Sequence, residues 1–225
     1  MSWLTNAMSS TLGRKLLMAA TGLFLIIFLL VHLIGNLQLL SDDGGESFNV
    51  YAKFMTTNPL IKTTSYLLYA TFIIHIIWAF MLIIQNRQAR PVGYKVSRAA
   101  SNSTWSSRNM GVLGSVILIF LIIHLANFWW KMKNGEVPMV DYETGSYQDL
   151  YTVVATAFKE VWIVALYVVA MIGLMFHLLH GFQSAFQTLG LNHPKYNPAV
   201  KFIGTAFAII VPAAFAAIPI LMYLS

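Results

Sequence analysis

Five histidines lie inside strongly apolar segments of this 225-residue chain. They are His32 in "FLLVHLIGN", His75 in "FIIHIIWAF", His124 in "FLIIHLANFWW", and the pair His177 and His180 in "GLMFHLLHGFQ". An ionisable side chain in such surroundings is costly and usually faces a partner in the protein interior. One such histidine is best explained by an ordinary interhelical hydrogen bond. Four separate segments that each contribute a histidine favour metal ligation instead.

The composition defines the class of protein. The chain is 58% hydrophobic, only 10% charged, and contains no cysteine. A soluble domain carries about 25% charged residues and under half apolar ones, so these values indicate an integral membrane protein. Without cysteine, the chain has no disulfides, thiolate iron–sulfur ligands, Cys-type zinc sites or covalent c-type haem. A metal must therefore be bound by His, Met or oxygen.

The histidine-bearing segments are long enough to cross a bilayer, which takes about 20 apolar residues. The pattern predicts an all-α, integral membrane bundle of five transmembrane helices that forms one domain over residues 1–225. The predicted spans are residues 16–40, 61–86, 109–131, 154–187 and 199–224. The first is interpreted as a retained span because it lacks a signal-peptide cleavage pattern. The fourth exceeds the membrane thickness, so residues 158–160 should project into the outer interface.

The distribution of charge predicts the orientation. With the N-terminus in the cytoplasm and the C-terminus outside, nine Lys and Arg residues lie inside and five outside. The inner ones are Arg14, Lys15, Arg87, Arg90, Lys95, Arg98, Arg108, Lys195 and Lys201. All eight Asp and Glu residues then lie outside. The basic inner face can bind anionic membrane lipid or an acidic protein partner. Binding of nucleic acid is disfavoured, since no basic helix or aromatic-interleaved patch accompanies it.

Depth along the helices sorts four of the histidines into two pairs. At 1.5 Å per residue, His32 and His124 lie about 24 and 22 Å from the cytoplasmic ends of their helices, whereas His75 and His177 lie about 15 Å from theirs. Two bis-histidine sites stacked across a bilayer suit two b-type haems, each with one neutral imidazole on either side of its iron. Such haems have no open coordination position and are suited to electron transfer.

Zinc binding and a proton relay are the competing chemistries. Zinc favours ligands clustered at one level, often with a carboxylate. A relay normally includes intramembrane acids. The spans contain no Asp or Glu at the relevant depths, which weakens both alternatives.

The end of the fourth span offers two histidines for one ligand position. Gly173, His177 and Gly181 follow an i, i+4, i+8 spacing and share nearly one helix face. The glycines could admit a flat macrocycle or could simply pack against another helix. His180 points to a neighbouring part of this surface, nearer the cytoplasm, where it could contact a haem propionate or a quinone. Spacing alone favours His177 only modestly.

Together these features resemble a known family. The five spans with a histidine in each of the first four, "FHLLHGFQSAFQTLG" at the end of the fourth, and "VHLIGN" followed by "ESFNVYAKFM" are similar to the cytochrome b membrane-anchor subunit of succinate:quinone oxidoreductases. These enzymes are the succinate dehydrogenase and fumarate reductase group of the respiratory chain, also called complex II. The closer similarity is to the single-polypeptide type with two haems, and it covers essentially the whole chain.

The resemblance implies haem-iron ligands at His32, His75, His124 and His177, where His177 is followed by the family's Gly181 and Phe182. It pairs His75 with His177 at the inner haem and His32 with His124 at the outer haem. Lys53 stands where relatives can have histidine, and no role is assigned to it.

The resemblance also implies a function. The chain would pass electrons between an iron–sulfur subunit and a membrane quinone, expected to be menaquinone, in a bacterial cytoplasmic membrane. A flavoprotein carrying FAD and the iron–sulfur subunit would dock on the inner face, so dicarboxylate chemistry would take place on a partner and this chain would supply no catalytic residue.

Contacts to the haem propionates or to the quinone are expected from basic and hydroxyl groups at the membrane edges. The inner candidates are Arg14, Lys15, Ser9, Ser10 and His180. The outer candidates are Lys131 and Lys133, beside Trp129 and Trp130. Two alternatives remain open: a di-haem cytochrome b subunit of another respiratory complex, such as hydrogenase or formate dehydrogenase, and a non-redox membrane protein.

Overall fold

Five long apolar helices dominate the computed structural model, which describes residues 10–89 and 103–225. They are Thr11–Leu40, Pro59–Gln88, Met110–Lys133, Val161–Thr188 and Asn197–Leu224, here called the first to fifth spans. Each has between 24 and 30 residues, and at 1.5 Å per residue each can cross a hydrocarbon core of about 30 Å. The prediction of an all-α bundle with five spans is confirmed. The chain is a multi-pass membrane protein by length and composition of its helices.

The helices and strands have the following bounds. The first half of the chain forms α1 (Thr11–Leu37), a 3₁₀ turn (Gln38–Leu40), α2 (Glu46–Thr57), α3 (Pro59–Gln88) and α4 (Trp105–Arg108). The second half forms α5 (Met110–His124), a π-helical segment (Leu125–Trp130), α6 (Lys131–Lys133), β1 (Met139–Tyr142), β2 (Gly145–Gln148), α7 (Leu150–Phe158), α8 (Val161–Thr188) and α9 (Asn197–Leu224).

Local sequence signals set the helix starts. The Ser10 hydroxyl accepts from the backbone N–H of Gly13 at 3.0 Å and caps α1. Asn58 caps α3 in the same way, accepting from the N–H of Leu60 at 3.0 Å, with Pro59 in the first turn. Side-chain oxygens at these positions satisfy N–H groups that the helix leaves without a partner.

The fourth span is the centre of the bundle. It packs against the first, third and fifth spans, while the first span also packs against the second. In the most apolar part of the fourth span 44% of the residues are buried, against 6% in the second and third spans. Phe182 of the fourth span lies directly over Gly204 of the fifth, where an added Cβ would be only 2.5 Å from the ring. The fourth span therefore holds a central place among its neighbours.

The predicted span over residues 154–187 is not one helix. The structure divides this segment into α7 and α8, with a break at Lys159 and Glu160. Glu160 has an extended backbone (φ −91°, ψ 109°), and both residues are exposed. The buried residues of α7, Leu150, Val154 and Phe158, instead cover the end of the bundle. The membrane helix begins at Val161, because two adjacent charged residues favour solvent over the apolar core.

A small folded unit covers one end of the bundle, and we call it the cap; it consists of α2, the antiparallel hairpin β1–β2, and α7. Asn49, only 1% exposed, connects its parts. The Asn49 amide nitrogen donates to Tyr142 Oη at 3.0 Å and to Asp149 Oδ1 at 3.1 Å, and its oxygen accepts from the Tyr151 N–H at 3.0 Å. Lys53 donates to the Ser146 carbonyl, so this residue links α2 to the hairpin.

The segments between successive spans alternate between the two ends of the bundle, and the charged residues divide between these ends. All eight acidic residues belong to the cap end: Asp42, Asp43, Glu46, Glu136, Asp141, Glu143, Asp149 and Glu160. Among the described residues, the opposite end carries only basic charges: Arg14, Lys15, Arg87, Arg108, Lys195 and Lys201. Arg90, Lys95 and Arg98 lie outside the described residues. Which end faces the cytoplasm stays a prediction from the positive-inside rule.

Candidate functional site

His32 of the first span and His124 of the third span face each other. Their ring centroids are 5.8 Å apart and the rings are nearly perpendicular, at 88°. Aromatic rings enclose this pair: Phe28 stacks on His32 at 5.2 Å, and Phe120 stacks on His124 at 5.6 Å. Phe215 of the fifth span lies 5.6 Å from His32. The two imidazoles therefore meet in an apolar, aromatic environment.

A second pair brings together the other two spans that carry a histidine. The rings of His75 and His177 are 6.5 Å apart between centroids, at an interplanar angle of 62°. His75 also lies against the backbone of the first span, since a Cβ added at Gly22 would be 3.6 Å from His75 Cε1. Each of the first four spans thus contributes one ring to one of two pairs.

The two pairs lie at different levels of the bundle. Gly22 lies beside His75, and His32 follows ten residues later on the same helix. On the fourth span, Tyr167 contacts His124 and precedes His177 by ten residues as well. Ten residues of α-helix correspond to about 15 Å. Two independent helices therefore give the same separation, with the His32 and His124 pair nearer the cap.

Three of the four histidines contact a polar side chain through Nδ1. Nδ1 of His75 lies 3.1 Å from the Thr21 hydroxyl, and Nδ1 of His124 lies 3.1 Å from Tyr167 Oη. The Asn36 amide nitrogen lies 3.3 Å from Nδ1 and 3.5 Å from Nε2 of His32, and it donates to the His32 carbonyl at 2.7 Å. For His75 and His124, a single side-chain partner at Nδ1 leaves the distal nitrogen Nε2 available to a ligand.

The fourth ring has no such partner. Among the described residues, two buried side-chain nitrogens lack a hydrogen bond: Nδ1 of His177 and Nε1 of Trp78. Trp78 lies one turn after His75 on the second span. A buried polar atom without a partner is destabilising.

The two glycines that flank His177 have different surroundings. A Cβ added at Gly173 would lie 3.4 Å from Val116 Cγ1, so Gly173 permits close packing against the third span. A Cβ added at Gly181 would meet nothing within 4 Å. Of the two explanations left open by the sequence, helix packing accounts for Gly173, and Gly181 leaves space for a further group.

The other predicted residues lie at the two ends. His180 is half-buried in the last part of the fourth span, and Arg14 and the exposed Lys15 lie in the first turns of α1, beyond the Ser10 cap. Lys131 and Lys133 form the last turn of the third span at the cap end. In the described part of the chain, no hydrogen bond joins a histidine ring to the side chains of His180, Arg14, Lys15, Lys131 or Lys133. Ser9 lies outside this part of the chain.

His193, to which the sequence assigns no role, is far from both pairs. It is exposed in the loop before the fifth span, and its Nδ1 accepts from the Lys195 N–H at 3.2 Å.

Sequence reasoning missed Thr21 and Tyr167. Thr21 precedes His32 by eleven residues, three helical turns, and so shares its helix face; a polar residue on that face was a usable signal. Tyr167 gives no such signal, because its contact with His124 joins residues 43 apart in sequence.

A π-helical segment follows His124 directly and covers Leu125–Trp130. π-Helical turns are rare and often occur at functional sites. Here the segment contains Trp129, whose Nε1 donates to Tyr69 Oη of the second span at 3.0 Å. This bond ties the third span to the second near the cap.

The arrangement favours a cofactor whose own atoms fill most of the coordination positions of its metal. Within residues 10–89 and 103–225, no group of three or more His, Cys, Asp or Glu side chains could bind a bare metal ion. Two opposed imidazoles suit a metal already bound in a plane by a macrocycle, which needs only two axial ligands. No protein-family model, curated protein or solved structure matches this chain.

Proposed function

We propose that this chain is the di-haem b membrane-anchor subunit of a succinate:quinone oxidoreductase. In this role it passes electrons between an iron–sulfur partner subunit and a membrane quinone, for which menaquinone is the expected type. The observation that carries the proposal is that histidines of the first and third spans, and of the second and fourth spans, meet in two pairs about 15 Å apart along the helices.

The spacing within each pair fits axial ligation. A metal–imidazole bond of about 2 Å, together with about 1 Å from the nitrogen to the ring centroid, separates two axial rings by about 6 Å. The observed centroid separations are 5.8 and 6.5 Å. The open space at Gly181 supports the same assignment for the inner pair. The residues present therefore fit two haems.

The histidines would hold the haems as the sequence suggested, with His75 and His177 at one and His32 and His124 at the other. Haem iron, when bound by two imidazoles, supplies one-electron redox chemistry without an open position for substrate. Thr21 and Tyr167 orient the imidazoles through Nδ1. The apolar side chains of the spans exclude water from both pairs, which limits the reorganisation around a changing charge.

The charge distribution supports the partners in the proposal. The end opposite the cap carries basic side chains on three of the five spans and on the short helix α4: Arg14, Lys15, Arg87, Lys201 and, on α4, Arg108. A surface of one sign attracts a complementary protein face and orients its approach. The flavoprotein and the iron–sulfur subunit would dock here, and the His75 and His177 pair is the nearer one to this end.

A haem assay tests the proposal. We would measure pyridine haemochrome on the full chain and on His→Ala variants at positions 32, 75, 124 and 177, with His180→Ala as the matched control from the same span. Two haems per chain, reduced by each of the first four substitutions and retained in the control, would support it. Absence of haem from the folded chain would refute it.

Co-purification distinguishes this complex from other di-haem cytochromes. A tagged chain expressed in its own cells should bring down a subunit with covalently bound flavin and one with iron–sulfur clusters. Recovery with a hydrogenase or formate dehydrogenase instead would keep the haems and overturn the assignment of the complex.

A further inference from the structure

We propose that Thr21 is a positioning residue that holds His75 as the Nδ1–H tautomer and thereby leaves a lone pair on Nε2. The tautomer follows from hydrogen bonds within this chain. Its consequence for haem ligation rests on the proposed function.

The Thr21 hydroxyl has three neighbours. Its oxygen lies 2.7 Å from the Leu17 carbonyl oxygen, 3.1 Å from the Met18 carbonyl oxygen and 3.1 Å from Nδ1 of His75. Thr21 is only 9% exposed, so water cannot readily replace any of these partners.

The direction of each bond can be deduced from the number of protons. A hydroxyl has one proton to donate and two lone pairs to accept with. A carbonyl oxygen cannot donate, so an oxygen 2.7 Å away requires the hydroxyl proton between them. Since that proton points to the backbone of α1, the Thr21 oxygen can only accept from His75. Nδ1 of His75 must then carry a hydrogen.

Protonation at Nδ1 determines the chemistry at the other nitrogen. In a neutral imidazole with hydrogen on Nδ1, Nε2 is unprotonated and can bind a metal. An acceptor at Nδ1–H also fixes the ring orientation and raises the basicity of the ligand nitrogen. The backbone at Gly22 lies close to the edge of the ring and restricts it further. Thr21 thus prepares His75 as a ligand before any cofactor is bound.

The direct test is nitrogen NMR on the full chain, labelled with ¹⁵N-histidine and prepared without haem. The His75 signals are assigned by their loss in His75→Gln. We expect Nε2 in the unprotonated shift range in the wild type and in Thr21→Ser, with a shift towards the Nε2–H form in Thr21→Val. Thr64→Val is the matched control, because the Thr64 hydroxyl bonds only its own helix, to the Leu60 carbonyl at 3.0 Å.

An Nε2–H signal for wild-type His75, or no change in Thr21→Val, would overturn the proposal. The tautomer measured in this way does not depend on haem, because the chain is prepared without it. A chain that shows the Nδ1–H tautomer but binds no haem would leave the present inference standing and refute the proposed function.

A second measurement applies to the haem-loaded chain, in case Thr21→Val folds only with its cofactor. Loss of the acceptor makes His75 a weaker electron donor to iron, so the midpoint potential of one haem should rise. A tenfold change in its redox equilibrium corresponds to about 59 mV. Thr21→Ser should restore the wild-type potential. Equal potentials in wild type and Thr21→Val would contradict the role of Thr21.

Discussion

Tyr167 Oη lies 3.1 Å from Nδ1 of His124 and joins the fourth span to the third at the pair nearer the cap. Tyr167 is 7% exposed and packs edge-on against Phe120, with ring centroids 4.8 Å apart. His124 is thereby held by a hydroxyl from the central helix of the bundle.

Tyr167→Phe should leave the fold intact and weaken the hold on His124. Interhelical hydrogen bonds in membranes contribute about 0.6 kcal/mol on average, so the loss of stability should be small. If His124 binds haem as proposed, the affinity for that haem should fall by on the order of tenfold, as is usual when the partner of a ligand histidine is removed. Haem titration of the purified variant measures this. Tyr66→Phe is the control, because Tyr66 is 62% exposed on the second span.

Gly181→Leu should remove haem from the pair of His75 and His177 and leave the bundle folded. A Cβ added at Gly181 meets nothing within 4 Å, so a leucine side chain would extend into the open space where the cofactor is proposed to lie. We expect about one haem per chain and a nearly unchanged thermal transition, with Gly181→Ala behaving as wild type. Retention of two haems in Gly181→Leu would show that the macrocycle lies elsewhere.

Gly204→Ala should destabilise the contact of the fourth and fifth spans. The new Cβ would lie 2.5 Å from Cδ1 of Phe182. Phe182 stacks on Phe186 at 5.0 Å, so the ring cannot simply move aside. Overpacking of this kind costs about 1–3 kcal/mol, which a denaturant titration in detergent can measure. Gly114→Ala serves as the control because its Cβ meets nothing within 4 Å; equal stability of the two variants would disprove the tight contact.

Acid should loosen the start of α2. A hydrogen bond from the Ser47 side chain holds the pKa of Asp43 below its ordinary value of 3.8. The backbone N–H groups of Ser47 and Gly45 lower this pKa further. Because the folded pKa is depressed, the stabilisation is present above pH 3.8 and is lost as pH falls through the lower, folded value.

Side-chain carbon NMR of Asp43 as a function of pH measures this titration. Asp43→Asn should remove the acid-dependent change in helicity of α2. Asp42→Asn should keep it, since Asp42 makes none of these bonds. A midpoint for Asp43 at or above 3.8 would contradict the prediction.

Much of the bundle could be predicted from sequence because its main signal is local. Apolar runs gave the number of spans, and counting residues from the helix ends placed four histidines at two levels. These inferences need only the rise of an α-helix. The signals for the helix starts are also local, because Ser10 and Asn58 cap N–H groups only a few residues further along the chain.

The cap could not be predicted because its bonds join distant parts of the chain. Asn49 bonds residues 93 to 102 positions away, and no short window of sequence reports such a partner. The hairpin has only four residues in each strand, too few to give a clear alternating pattern. Gly35 in "VHLIGN" is another case: the Tyr51 ring of α2 lies directly on it, so this part of the motif contacts the cap.

The 15 Å between the two histidine pairs is about half of the 30 Å hydrocarbon core. A charge that moves from one pair to the other therefore crosses part of the electrical potential difference across the membrane. A full crossing changes the energy of one elementary charge by about 2.3 kcal/mol per 100 mV, so this half-crossing changes it by about 1.2 kcal/mol. If the two pairs bind the proposed haems, the distribution of an electron between them would shift about sevenfold for each 100 mV. The membrane voltage would then bias which of the two haems carries the electron.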